Sequence, residues 1–315
     1  MDMYTNTVRI KKMNKGKSSV NFRRNLPLHI MLFPGIIIAL IFSYTPMVGI
    51  IMAFQDYNPF GGLFGSPWTG LDNFRFLMSL PDTYSVIWNT FFIAVLKIIA
   101  SLIVPITVSL LLNEIGNYKF KRITQTIIYF PHFLSWVILA TVFIDLLSPS
   151  NGAINSIIKA LGFKPIFFLG STKWFPFTMV LTDIWKEFGY GTIIYLAALT
   201  GIDPTLYEAA IIDGSNRWQQ TIHVTLPGIK GIVVLSMTLS LGNVLNAGFD
   251  QIYNMLSPVV YSTGDIIDTM VYRMGMIDAQ YSLATTVGLF KSLVSFVLIS
   301  TSYWLAGKFA GYRIF

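Results

Sequence analysis

The chain has 315 residues, 54% of them hydrophobic and 12% charged, with a formal net charge of +7 and no cysteine. A soluble domain is about one quarter charged, so this composition argues for residence in a membrane, with room for roughly six spanning helices of about 20 residues and little for a second soluble domain. The missing Cys excludes disulfides, thiolate metal ligands and thiol nucleophiles, and in a membrane protein the positive balance reports topology and anionic lipid before nucleic acid.

The first 24 residues form a polar, basic tail carrying Arg9, Lys11, Lys12, Lys15, Lys17, Arg23 and Arg24. It is similar to the n-region of a signal peptide. The apolar run behind it is too long for a signal h-region and ends without a small-residue cleavage site, so a retained first helix is expected. Six apolar stretches follow: Ile30 to Phe54, Ile87 to Leu112, Thr124 to Leu147, Phe175 to Leu199, Ile229 to Asp250 and Ala284 to Ala306. The expected fold is an all-α, polytopic membrane bundle of six transmembrane helices, with residues 25–315 as one transmembrane domain behind the 1–24 tail. Fourteen Lys and Arg fall in the tail, in the second and fourth polar segments (Lys230 counted with the latter) and at the C-terminal end, against five in the other three segments. Basic residues resist translocation, so both termini are expected to be cytoplasmic.

Lys97, Lys186 and Lys291 remain inside predicted helices. Ionisable groups in a bilayer are costly unless they face protein or water, which makes them functional candidates. Asp183, Lys186 and Glu187 stand at i, i+3 and i+4 and share a helix face, either as a self-neutralising packing cluster or as part of a solute path. The segment Asp56 to Pro81 is rich in Gly, Pro and aromatics and suits turns and interfacial anchoring. The longer segment Gln251 to Ser282 has room for a short external helix. His29, His132 and His223 are far apart, and no metal-ligand spacing appears.

The segment between the fourth and fifth stretches, about 203–227, is the most informative. Asp203 before Pro204 starts a helix, Gly214 ends it, Ser215 caps a second short helix, and Pro227 marks the start of the next span. The result is a helix-turn-helix held beneath the membrane by two spans, so that a push on it moves both. Ala209 and Ala210 keep the first helix thin enough for a partner's groove, and Glu208 can reach a polar group there.

Glu208-Ala209-Ala210, three residues, Gly214, nine residues, Val224, one residue and Leu226-Pro227 resembles the signature loop of binding-protein-dependent ABC importers, with Val where Ile is usual. Pro46 to Tyr57, Tyr129 to Trp136, Ile194 to Leu199 and Tyr281 to Lys291 extend the resemblance to the carbohydrate-uptake permeases, in the branch that serves polysaccharide-derived oligosaccharides. The resemblance implies a type I importer permease fold. It makes the loop a coupling helix seated in an ATPase cleft, with Tyr207, Glu208, Ala209, Ala210, Asp213, Gly214, Ser215 and Asn216 as the contact residues. It also implies a second homologous permease subunit in a heterodimer, two ATPase subunits, an extracytoplasmic solute-binding protein, an oligosaccharide as solute, and a place in the bacterial cytoplasmic (inner) membrane.

The chain has no G-x-x-x-x-G-K-[ST] phosphate loop, so ATP and Mg are expected on the partner ATPases and no cofactor on this chain. A sugar path needs hydrogen-bonding groups and aromatic faces at depth, for which the candidates are Asn89, Asp183, Trp185, Lys186, Glu187, Tyr190, Tyr195, Asn243, Asn246 and Lys291. Each also suits interhelical hydrogen bonding or packing. The lysines make an acidic solute admissible, while Asp183 and Glu187 weigh against it. An ion-coupled secondary transporter is the alternative, but it predicts inverted halves and an ion cluster that the sequence lacks and leaves the loop without a purpose. A membrane enzyme predicts a converging catalytic set, and none is evident.

Overall fold

The structure, a computed structural model, describes residues 22–242 and 244–309. The tail up to residue 21 and Asn243 lie outside the described residues. The chain divides into two compact units, residues 1–49 and 50–315. The first holds α1 (Phe22–Ala39), which passes into a π turn (Leu40–Tyr44).

In the second unit, α2 (Asp72–Ser79) leads at Leu80 into α3 (Pro81–Glu114), whose Pro81 occupies the first turn, where a missing N–H costs nothing. α4 (Tyr118–Tyr129) and α5 (Trp136–Leu146) follow, then the short α6 (Ala153–Ala160) and the long α7 (Phe175–Thr200). α8 (Pro204–Ile212) and α9 (Arg217–Gly242) come next, then α10 (Phe249–Met255), α11 (Ile267–Tyr272) and α12 (Tyr281–Phe309).

α3 packs chiefly along α7, and α9 packs against both α7 and α12. The core gathers Ile93 and Ala94 from α3, Ala140 from α5, Phe175 and Met179 from α7, and Ile252 and Met255 from α10. A second cluster joins Leu77, Val86, Ile267, Met270 and Val287. Gly189 on α7 lets that helix lie against α4, because a Cβ there would fall on the Ile128 carbonyl. Leu181, Phe296 and Val297 are among many large apolar side chains left outward, as a bilayer-facing surface requires.

Four helices among the described residues are long and apolar enough to cross a membrane: Leu26–Phe54, Pro81–Glu114, Arg217–Gly242 and Tyr281–Trp304. Four expectations need correction. The stretch Thr124 to Leu147 is not one helix: Tyr118–Phe133 and Trp136–Leu146 meet at 103°. The cause is local: a 3-10 turn holding Pro131 closes on Leu134, whose N–H reaches the Pro131 carbonyl, and Leu134 and Ser135 are extended. The stretch Ile229 to Asp250 stops as a helix at Gly242, and α10 restarts from Gly248 at φ +94°. Pro227 does not open a new helix but lies inside α9, after a π turn at Thr221–Thr225. α7 has 26 residues, but Asp183, Lys186 and Glu187 keep it out of the apolar class. The segment from 251 to 282 holds not one short helix but most of α10 and all of α11, with shorter turns between them.

Candidate functional site

The loop between α7 and α9 builds itself from local contacts. The Asp203 carboxylate accepts from the Thr205 N–H at 2.9 Å, and that bond holds its pKa below the usual carboxylate range. Pro204 fills the first helical position, and no residue of α8 is buried. Gly214 takes φ +76°, open to glycine at no steric cost, and turns the chain so that the Ser215 N–H reaches the Ala210 carbonyl at 2.9 Å. The cap of the second helix is Asn216 rather than Ser215. Asn216 Oδ1 accepts from the Gln219 N–H at 2.9 Å while Gln219 Oε1 accepts from the Asn216 N–H at 2.8 Å, a reciprocal capping box. Ser215 contributes its carbonyl, which accepts from Gln220 Nε2 at 2.9 Å.

Tyr207 ties α8 to α9 through a 3.0 Å hydroxyl contact with Thr225. Glu208, Ala209 and Asp213 are exposed and Ala210 is half-buried. Among the described residues Glu208 has no ion-pair partner, and beside it Ile211 and Ile212 are 58% and 85% exposed. An apolar ridge and a carboxylate thus stand exposed together on a locally capped frame.

Inside the bundle the charges resolve into two networks, not the single Asp183, Lys186 and Glu187 cluster expected from their spacing. In the first, Lys97 on α3 donates to Asp183 at 3.0 Å, to the Ala247 carbonyl at 2.8 Å and to Gln251 Oε1. Gln251 Nε2 donates in turn to the Met179 carbonyl at 2.8 Å and to Thr182 Oγ1 at 2.7 Å. This joins α3, α7 and α10 across the break after Gly242. Gly248 completes it, since a Cβ there would stand 2.8 Å from Lys97 Nζ. A cavity of about 280 Å³ opens beside the network, lined by Lys97, Ser101, Asp183, Ser240 and Asn246 among others.

The second network sits where α7 passes the bend between α4 and α5. Lys186 Nζ donates to Glu187 at 2.7 Å and to the His132 carbonyl at 2.9 Å, and His132 Nδ1 lies 2.6 Å from the other Glu187 oxygen. The His132 ring stacks on Tyr190 with centroids 4.0 Å apart and planes within 4°. The sequence assigns His132 no role; Glu187 lies 55 positions further on, and no local pattern pairs them.

Toward the last helix, Lys291 pairs with Asp268 at 2.5 Å. Burial opposes the Arg273 charge, but Asp265 at 2.5 Å and Tyr261 together outweigh it and raise the guanidinium's pKa. Asn89 is buried and donates to the Ser262 and Asp265 carbonyls at 3.1 and 3.3 Å. Tyr195 is buried in the core. Trp185 meets Phe143 edge-on at 5.5 Å and lines an apolar groove of about 490 Å³ with Leu139, Leu181 and their neighbours. Among the described residues no three His, Asp or Glu converge as a metal site.

The sequence pattern of one family, "Binding-protein-dependent transport system inner membrane component", matches residues 101–310. The polygalacturonan/rhamnogalacturonan transport system permease protein YteP of Bacillus subtilis (strain 168) is 41% identical over 299 residues, covering 95% of this chain and 93% of that protein. Protein LplB of the same organism is 41% identical over 287 residues, with 91% and 90% covered. In a solved structure, a bacterial ABC transporter involved in the import of the acidic polysaccharide alginate, one chain aligns with a TM-score of 0.84 and 35% identity over 91% of this chain and 97% of its own. A second alginate transporter structure, in complex with an alginate pentasaccharide-bound periplasmic protein, aligns with a TM-score of 0.83 at the same identity, covering 91% of this chain and 96% of its own.

Proposed function

This chain belongs to the family of binding-protein-dependent transport system inner membrane components, a permease subunit without an ATPase domain, and from that premise we propose a specific role for it. It is one of two homologous membrane subunits of an importer that brings oligosaccharides released from acidic polysaccharides into the cytoplasm. α8 is the coupling helix, seated in the cleft of an ATPase subunit, and a solute-binding protein delivers the oligosaccharide from outside. The observation that carries the coupling role is α8 itself: nine residues with none buried, capped at the start by the Asp203 side chain and closed at the end by a positive-φ glycine. Closure of the ATPase pair would move α8, and α7 and α9 with it, in the manner of a rigid-body switch.

Six spans follow if α7 crosses the membrane with its charges paired inside protein and the bent α4–α5 pair counts as one span. Both termini then lie in the cytoplasm, with the basic tail against anionic lipid. The acidic solute is supported by the polygalacturonan permease and the alginate importer, not by free cations here. Lys97, Lys186, Lys291 and Arg273 each meet a carboxylate. In this reading Tyr190, Glu187, Asn246 and Ser240 face the solute by aromatic and hydrogen-bonding contact, and Lys97 and Asp183 hold the wall of the path.

Purification of this chain with its partners tests the reading. Expected are a second permease and an ATPase whose hydrolysis rises with binding protein loaded with a polyuronide oligosaccharide and rises less with a neutral one. A stable complex without any ATPase would overturn it.

A further inference from the structure

α10 carries a feature that neither the loop nor the charged networks account for. One side of this short helix is buried: Gln251, Ile252 and Met255 pack inward. The other side bears an aromatic ladder. Phe249 and Tyr253, one helical turn apart, stack with centroids at 5.3 Å and planes within 22°. Tyr272 of α11 closes on Tyr253 edge-on at 4.7 Å and on Phe249 at 5.5 Å. Tyr253 is nonetheless 42% exposed.

Lipid does not cover this side, because Asp250 lies exposed on it and Asn254 flanks it. Hollows lie at both ends of the helix. At its start is the 280 Å³ cavity with Asn246 and Gly248, and at its end one of about 390 Å³ lined by Asn254, Ser257, Asp145 and Ser148. Seven residues of helix cover about 10 Å, the length of two pyranose rings end to end. A pyranose offers an apolar C–H face and a rim of hydroxyls. An aromatic ring suits the first, and amide or carboxylate oxygens suit the second.

We propose that Phe249, Tyr253 and Tyr272 form a stacking surface along which successive sugar rings of the oligosaccharide pass between the two hollows, with Asp250 and Asn254 accepting from hydroxyls. The inference rests on the oligosaccharide reading above and adds to it a surface that selects for chain length. Two linked rings engage the ladder and both flanking hollows only when the solute is longer than a disaccharide.

The test uses the complete importer in proteoliposomes, with uptake of a digalacturonate and a tetragalacturonate, and a neutral tetrasaccharide in parallel. Tyr253→Leu, Phe249→Leu and Tyr272→Leu are each expected to raise the KM for the tetrasaccharide about 2- to 10-fold, the range of one aromatic stacking contact. The effect on the disaccharide is smaller, and Tyr253→Trp restores most of the loss. Equal change for both lengths, or none, overturns the proposal. In place of Tyr253, p-benzoylphenylalanine should crosslink to radiolabelled tetragalacturonate on illumination. Crosslinking to a protein subunit alone would mean that the partner covers this face, and would overturn the proposal while leaving the importer reading intact. If the unaltered importer takes up neither tetrasaccharide, the oligosaccharide reading fails and this inference falls with it. If only the neutral one enters, the class stands and the same variants are read with that solute.

Discussion

α8 and α10 are both short helices set between long ones, and they are held in opposite ways. α8 has no fully buried residue and, apart from the Tyr207–Thr225 hydroxyl contact, is fixed by contacts within a few residues of its ends: Asp203 to Thr205, Ser215 to Ala210, and the Asn216–Gln219 box. α10 has no side-chain cap and starts from a left-handed glycine, yet it is anchored through Gln251 and the Ala247 carbonyl to Lys97 on α3 and to Met179 and Thr182 on α7. A helix built from local contacts can be presented whole to a partner. One built from tertiary contacts reports every movement of the helices that hold it.

The sharpest way to separate the two is to remove the lysine. Lys97→Met leaves the half-buried Asp183 and the buried Ala247 carbonyl without their cation; breaking a fully buried pair from one side costs about 3–5 kcal/mol, and the partial exposure of Asp183 puts this cut at or below the lower end. The purified importer should lose thermal stability, with faster amide exchange in residues 247–255 and no change in residues 203–213. Lys97→Met combined with Asp183→Leu should recover much of the loss, because the uncompensated charge is gone. Equal exchange in both helices would show that they are not independently held. Gln251→Leu is a milder form of the same cut. It removes two donated bonds and one accepted bond and should cost about 1–3 kcal/mol, with its exchange signature again confined to α10.

The same contrast explains what the sequence disclosed. Asp203-Pro204, Gly214 and the Glu208 to Pro227 spacing are local signals, and the structure forms a helix, a turn and a capped second helix where they stand. The assignment to Ser215 missed by one residue, because the capping box needs Gln219 three positions after the cap and only Asn216 supplies that spacing. Long apolar runs located most of the bundle but hid two interruptions. Neither Pro131 nor the Gly242 to Gly248 stretch lowers the apolar character enough to announce a break. The charge pairing was the least legible. Spacing grouped Asp183 with Lys186 and Glu187, whereas Asp183 turns to Lys97, 86 residues away, and Glu187 turns to Lys186 and His132. Which carboxylate meets which cation is decided across helices, by packing that one-helix periodicity does not contain. The ladder on α10 had a faint signal, Phe249 and Tyr253 at i and i+4, but its third member comes from α11.

On the α8 side, Gly214→Pro and Glu208→Lys test docking rather than stability. Proline cannot adopt φ +76°, so the turn between α8 and α9 is lost. Glu208→Lys reverses an exposed, unpaired charge. Each should reduce ATPase retention during purification by roughly 10-fold or more, as loss of a central interface contact of about 2 kcal/mol does. Membrane insertion and exchange in α10 should stay unaltered. Undiminished solute-stimulated ATP hydrolysis in both variants would remove α8 from the coupling path.

The smallest effect belongs to Asp203, and it separates charge from cap. Its carboxyl titrates below the ordinary Asp value because the ionised form accepts the Thr205 N–H. What it contributes is therefore fully present above that ordinary value and is lost as the pH falls through the depressed one. At neutral pH Asp203→Asn keeps an acceptor of nearly equal capping strength, while Asp203→Ala keeps none. Amide exchange at Thr205 and Leu206 should be close to unaltered in Asp203→Asn and faster in Asp203→Ala, with solute-stimulated hydrolysis slightly lower only in the latter. Below the ordinary Asp range the unaltered chain should lose protection at these amides, whereas Asp203→Asn stays flat because it has no proton to take up. If Asp203→Asn proved as damaging as Asp203→Ala at neutral pH, the negative charge itself would be what the loop needs, facing the ATPase rather than closing the helix end.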